Sequence, residues 1–105
     1  MYKLGFYVPP SHVEVVKQEI FNAGAGKVGE YECCSWQVLG TGQYRPLAGS
    51  QPFIGKSGEF ELVEEYRVEL VCTQDNIKNV VEALKRAHPY EQPAYDVVKI
   101  ESFDV

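Results

Sequence analysis

Apolar and polar positions alternate from the start of the chain. Tyr2, Leu4, Phe6 and Val8 share one parity, and Lys3, Gly5 and Tyr7 share the other, so residues 2–8 are predicted to form a strand. Pro9 and Pro10 end it, because neither can donate to a ladder. The period then changes. Val13, Val16 and Ile20 recur on one helical face, and Ser11 and Glu14 stand at the spacing of a capping box. A helix over 11–23 follows, with Gly24 as its stop. Residues 24–29, GAGKVG, read as a loop. Residues 30–39, EYECCSWQVL, are aromatic and β-branched and read as a second strand. From Gly40 to Gly58 nothing is periodic, and a loop of that length inside a small domain is usually functional or mobile. Its Tyr44, Leu47, Phe53 and Ile54 are expected to pack or pair.

Alternation returns at 59–72. Phe60, Leu62, Tyr66, Val68, Leu70 and Cys72 face one way, and a run of glutamates faces mostly the other. The interruption at Val63-Glu64 predicts a bulge or bend. Ile77, Val80, Val81 and Leu84 have helical spacing, which predicts a second helix over 75–87, capped by Thr73 or Asp75. Lys85, Arg86 and His88 lie at its C-terminal end, where positive charge suits the helix dipole, and Pro89 stops it. Residues 94–100 make a fourth strand, with fraying expected after it. The order β-α-β-β-α-β predicts an α+β, ferredoxin-like fold: an antiparallel sheet, both helices on one face, and a long glycine-rich arm between strands two and three. The other sheet face is left bare; the long middle strands could cover part of it, and another subunit could cover the rest.

Composition narrows the class. The chain has 105 residues, one domain's worth, with 45% hydrophobic residues and a net charge of −5. The acidic balance argues against a nucleic-acid partner. No apolar run approaches the roughly 18 residues of a membrane span. No signal peptide is visible at MYKLGFYVPP, and three cysteines are an odd number, so a cytoplasmic protein is expected.

Candidate chemistry concentrates in three places. His88-Pro89-Tyr90-Glu91-Gln92-Pro93-Ala94-Tyr95-Asp96 is the densest polar segment, with His88, Glu91 and Asp96 as potential ligands or acid/base groups. His88, Tyr90 and Glu91 could line a ligand pocket, and His88 and Glu91 could hold a metal ion; the simpler reading has His88 capping helix carbonyls, Glu91 pairing with a nearby base and the prolines fixing the route into the fourth strand. Gly24, Gly26 and Lys27 could hold an anion through backbone N–H groups, but the loop follows a helix instead of opening one and lacks the Ser/Thr of a phosphate loop. Cys33 and Cys34 are adjacent. On a strand they would point to opposite faces, so as ligands for a soft divalent ion they would need thiolates from more than one subunit. Two histidines in the chain preclude a self-contained multi-histidine site. No Ser/His/Asp arrangement emerges.

The runs YVPPSHVEVVKQEIFNAGAGKVGEYECCSW, GTGQYRPLAGSQPFIGKSGEFELVEEYRVE and AHPYEQPAYDVV, in that order, resemble a single domain. It is the domain inserted in the middle of bacterial YqfO-type (Nif-three-like) dinuclear-metal proteins, and the resemblance covers about residues 4–100. It implies a CutA/PII-like fold that commonly assembles as trimers. It also implies that the family's two-metal site and GTP cyclohydrolase-type activity belong to flanking lobes, so the hydrolase label does not carry over. What it implies here is the accessory domain standing alone: a non-enzymatic oligomeric binding or regulatory module, with a small molecule at subunit clefts near Tyr90, Glu91 and the glycine turns. The CutA likeness adds an alternative, divalent-metal binding through His88 and Glu91 with Cys33 or Cys34. A weak nucleotide hydrolase is a third reading, and it would need a general base and a phosphate cradle.

Overall fold

The computed structural model describes residues 1–101. The order is β1 (Tyr2–Val8), α1 (Val13–Asn22), β2 (Trp36–Tyr44), β3 (Glu61–Cys72), α2 (Ile77–Ala87) and β4 (Tyr95–Lys99). The strands form one antiparallel sheet in the order β2-β3-β1-β4. This is the ferredoxin-like arrangement that the periodicity predicts. The expected fraying falls on residues outside those described.

Alternation decides the layers. Leu4, Phe6 and Val8 of β1 stand on one face with Val68, Leu70 and Cys72 of β3. Val13, Val16 and Ile20 of α1 and Val80, Ala83 and Leu84 of α2 close over that same face. The buried helical positions follow the 3.6-residue repeat, so each helix turns one apolar stripe to the sheet. Burying a side chain of this kind is worth roughly 1.5–3 kcal/mol, which makes this layer the main source of stability.

The opposite face has no helices. Directly paired residues share a face, so Trp36, Val38, Arg67, Glu69, Gly5, Tyr7, Asp96 and Val98 lie on it together. Arg67 reaches from β3 across β1 to β4, where Nη1 donates to Asp96 Oδ1 at 2.8 Å. Its guanidinium also stacks over the Tyr7 ring at 4.9 Å. The route passes over Gly5, where an added Cβ would fall on the guanidinium itself.

β3 is longer than its central neighbour. β1 pairs only with residues 66–72, while residues 61–65 pair with β2 residues 40–44 alone. The two strands therefore run on as a two-stranded arm, and the molecule measures 52 × 23 × 22 Å. The bulge expected at Val63-Glu64 is not found, since the β2–β3 register is unbroken from Trp36↔Glu69 to Tyr44↔Glu61. The break in alternation has another cause. Before residue 66 the strand lies outside the helix layer, so the buried parity does not apply there.

Four further expectations change. β2 starts at Trp36, not residue 30, because residues 28–31 close on themselves through reciprocal Val28–Tyr31 backbone bonds of 2.9 Å. Residues 40–44, expected in the loop, are strand. The capping box does not form: Ser11 Oγ meets His12 Nδ1 at 2.8 Å and Glu14 pairs with Lys17 at 3.1 Å. Neither Thr73 nor Asp75 caps α2 by its side chain; the Thr73 carbonyl accepts the Asn76 and Ile77 N–H groups instead.

The core and the arm should respond differently to truncation. Phe6→Ala removes a fully buried ring and is expected to cost about 3–5 kcal/mol in urea unfolding. Leu62→Ala, on the exposed arm, is expected to change stability by no more than about 0.5 kcal/mol.

Candidate functional site

The site begins where α2 ends. Pro89 restricts the residue before it, and His88 is accordingly extended at φ −72, ψ 137. That rotation swings the imidazole off the helix and under the end of β1. The ring is buried, at 6% exposure. Nδ1 accepts the Tyr90 backbone N–H at 3.1 Å, so the proton sits on Nε2, which donates to the Tyr7 carbonyl at 2.6 Å. Burial chiefly, with His12 adding a little, pushes the His88 pKa below its ordinary value against the opposing pull of the Tyr7 bond. His88 is thus held neutral, with both nitrogens engaged.

This clamp presents Tyr90 and Glu91. The Tyr90 ring packs on His88 at 4.8 Å between centroids, and the Tyr7 N–H donates to Ala94 O at 3.1 Å, closing the turn onto β1. Facing the turn is the far end of the arm. Tyr44 and Phe53 stand 6.4 and 6.3 Å from the Tyr90 ring. Tyr44 donates its hydroxyl to the Ile54 carbonyl, and the Gln51 N–H donates to Glu91 Oε2 at 3.0 Å, joining the two walls. Between them lies a cleft of about 310 Å³, lined by Tyr44, Phe53, Glu65, Tyr90, Glu91, Gln92 and their neighbours.

Glu65 enters this cleft from β3. Its carboxylate crosses β2 at Gly42, and a Cβ there would collide with it. The Tyr90 hydroxyl is buried and has no well-aligned hydrogen-bond partner. Burial first, and then the neighbouring Glu65 carboxylate, push its pKa far above that of ordinary tyrosine. Tyr44 is raised for the same reasons, burial and then Glu61 and Glu65.

The residues singled out in the sequence therefore divide. His88, Tyr90 and Glu91 come together, with Tyr90 and Glu91 lining the cleft and His88 behind them. Gly24, Gly26, Lys27, Cys33 and Cys34 lie elsewhere. The Gly26 N–H donates to the Val71 carbonyl and the Cys34 N–H to Gly26 O, both at 2.8 Å, so this loop sits where β3 pairs with Lys3. His88 sits at Tyr7. Four residues of strand, about 13 Å, separate the two places. One chain cannot bring His88 and Glu91 to one ion with Cys33 or Cys34. Nor are the cysteines on a strand: Cys33 is exposed in the connecting loop at φ 57. Lys27 is exposed. Among the described residues, no three His, Cys, Asp or Glu side chains cluster as metal ligands. Tyr44 and Phe53, which the sequence marked only as packing residues, and Glu65, part of a glutamate run, are cleft residues that it did not place at a site. The only hint was a pair of aromatics, Tyr44 and Phe53, bracketing Pro46 and Pro52 in an otherwise aperiodic stretch.

No family model matches the chain. The GTP cyclohydrolase 1 type 2 homolog of Halalkalibacterium halodurans is 43% identical over 97 residues, which is 92% of this chain and 26% of that protein. The Bacillus subtilis protein of the same name is 46% identical over 99 residues, 94% of this chain and 26% of its own length. The chain thus spans about a quarter of the curated relatives it matches. Among solved structures, a Bacillus cereus protein related to NIF3 superposes with a TM-score of 0.82 at 36% identity, over 96% of this chain and 26% of that one. The divalent cation tolerance protein CutA of Archaeoglobus fulgidus gives 0.69 at 14% identity, over 98% and 87%. A PII-like CutA of Nostoc gives 0.68 at 16%, over 96% and 82%. The last two share the fold.

The His88 clamp has a signature in pH. Its pKa is lowered by folding, so the unfolded chain binds the proton more readily, and stability rises with pH where that proton is lost. The contribution is full above about pH 6.5 and is lost as the pH falls below it. Urea midpoints at pH 7.5 and 5.5 should therefore diverge in the wild type. His88→Gln should cost about 1–3 kcal/mol at pH 7.5 and lose most of that divergence. An equal fall in both proteins would assign it to another group.

Proposed function

We propose that this chain, which corresponds to one segment of the NIF3-related GTP cyclohydrolase 1 type 2 homologs and has the CutA/PII-like fold, is an oligomeric binding and regulatory module. It takes a small molecule in the cleft between the arm and the 88–93 turn. The observation that carries this reading is the cleft itself. Two elements far apart in sequence, the 44–53 region and Tyr90-Glu91, are joined across it by the Gln51–Glu91 bond. A concave, mostly apolar space with a few convergent polar groups is the usual form of a ligand site.

Assembly is the second half of the reading. Trp36, Val38 and Val98 are 58%, 46% and 51% exposed on the helix-free face, too much apolar surface for a sheet layer that works alone. A further copy of the chain covers it, and the family resemblance favours a trimer. We place the protein in a reducing compartment, the cytoplasm, in keeping with its free Cys33, Cys34 and Cys72. No helix among the described residues is long and apolar enough to cross a membrane. The activity in the relatives' name is assigned here to the three-quarters of those proteins that this chain does not span.

Light scattering on a sizing column tests the assembly. An oligomer at tens of micromolar is expected, and Val38→Glu, which sets a charge on the helix-free face, should shift it toward monomer. A strict monomer in the wild type would remove the assembly half of the proposal.

A further inference from the structure

The cleft has a distinctive chemistry. Two carboxylates, Glu65 and Glu91, line it, and among the described residues no lysine or arginine does. Two neighbouring cations, one of them beside Glu65 in an adjoining small pocket, are committed elsewhere. Arg67, two residues along β3, is bound to Asp96 and Glu69, and the Arg45 guanidinium lies over the Phe60 ring at 4.8 Å. Glu91 has one oxygen on the Gln51 N–H, a neutral donor that leaves its charge uncompensated. Three aromatic rings line the cleft with the two carboxylates, and those of Tyr44 and Phe53 are each tilted against Tyr90. Tyr90 adds a buried hydroxyl oxygen without an aligned partner.

Aromatic faces attract cations, and the attraction grows when the site is partly desolvated. A carboxylate at the rim adds charge complementarity, and the acidic net charge of the chain extends the field outward. The same arrangement repels phosphates and carboxylates, which would meet two like charges and find no basic partner. The volume, about 310 Å³, lies at the small end of ligand pockets.

From this we infer that the cleft binds a small organic cation, an alkylated or quaternary ammonium, seated among Tyr44, Phe53 and Tyr90 with Glu65 and Glu91 as its counter-charges. The inference rests on the ligand-cleft reading given above and specifies the ligand class. Gly42 belongs to the site as well, since a Cβ there would meet the Glu65 carboxylate where it lies over β2.

The test is a titration of the full chain, followed by amide ¹H–¹⁵N shifts, with choline and with its uncharged isostere 3,3-dimethyl-1-butanol. ATP and inorganic phosphate serve as anionic comparators. Choline should move the Tyr90, Glu91 and Gln92 amides saturably and bind about tenfold more tightly than the isostere. Glu65→Gln and Glu91→Gln should each weaken choline several-fold while leaving the rest of the spectrum in place. Equal binding of choline and its isostere, or choline affinity unchanged in both variants, overturns the cationic class and leaves the cleft as a ligand site. So does a response of the same amides to ATP or phosphate without one to choline. If none of the four probes moves those amides, both the ligand class and the ligand-cleft reading fail.

Discussion

One imidazole decides where the functional end of this molecule lies. His88 is the buried polar side chain of an otherwise apolar interior, and it can remain there because each ring nitrogen has a backbone partner. One partner is the last part of β1 and the other is the turn that follows α2. The clamp therefore fixes the turn to the sheet, and every position from Tyr90 to Ala94 inherits its place from it. Pro89 supplies the other half of the constraint by holding His88 extended, so that the ring points under the strand and not along the helix axis. A histidine used this way is a fastener and has no nitrogen left for an ion.

The second wall of the cleft follows from strand lengths. β3 outruns β1, and the surplus has only β2 to pair with, so the arm stands clear of the helix layer. Beyond it the 45–60 segment folds back until Phe53 meets His12 at 5.4 Å and Tyr90 at 6.3 Å. The cleft is thus built between a wall anchored by the core and a wall anchored by little more than its own hydrogen bonds. Stability and recognition are supplied by different layers: the helix-covered face holds the chain together, and the arm end is free to differ.

Most of the architecture is legible in the sequence because both periods are clean where burial enforces them. Tyr2 through Val8 alternate since one face meets helices, and Val80, Ala83 and Leu84 share a stripe for the converse reason. Expectations fail where burial stops deciding. Residues 40–44 look like loop because Gly40 and Gly42 carry no side chain to alternate, yet Gly42 is where Glu65 needs a gap. Ser11 and Glu14 have the spacing of a cap, but His12 and Lys17 offer competing partners. Half of the site is visible as a dense polar segment at 88–91. The other half is invisible, because nothing local in Tyr44, Phe53 or Glu65 says that a turn forty residues away will face them. The glycine turn and the cysteine pair drew attention by composition and proved to lie at the other end of the sheet.

The crossing of Arg67 over Gly5 has a consequence for how this sequence can change over time. The ion pair with Asp96 ties β3 to β4 over the top of β1, against the Tyr7 ring and across the gap at Gly5, and this path is open while position 5 has no side chain. Residues 5, 67 and 96 are therefore not independent characters. A lineage that acquires alanine at 5 must displace the guanidinium, and once the guanidinium is displaced, Asp96 loses the partner that holds it. The guanidinium is the far end of a flexible side chain and can swing aside, so what alanine at 5 gives up is this ion pair, and the loss is smallest where the arginine has already shortened or departed. Three positions spread over ninety residues drift as one unit.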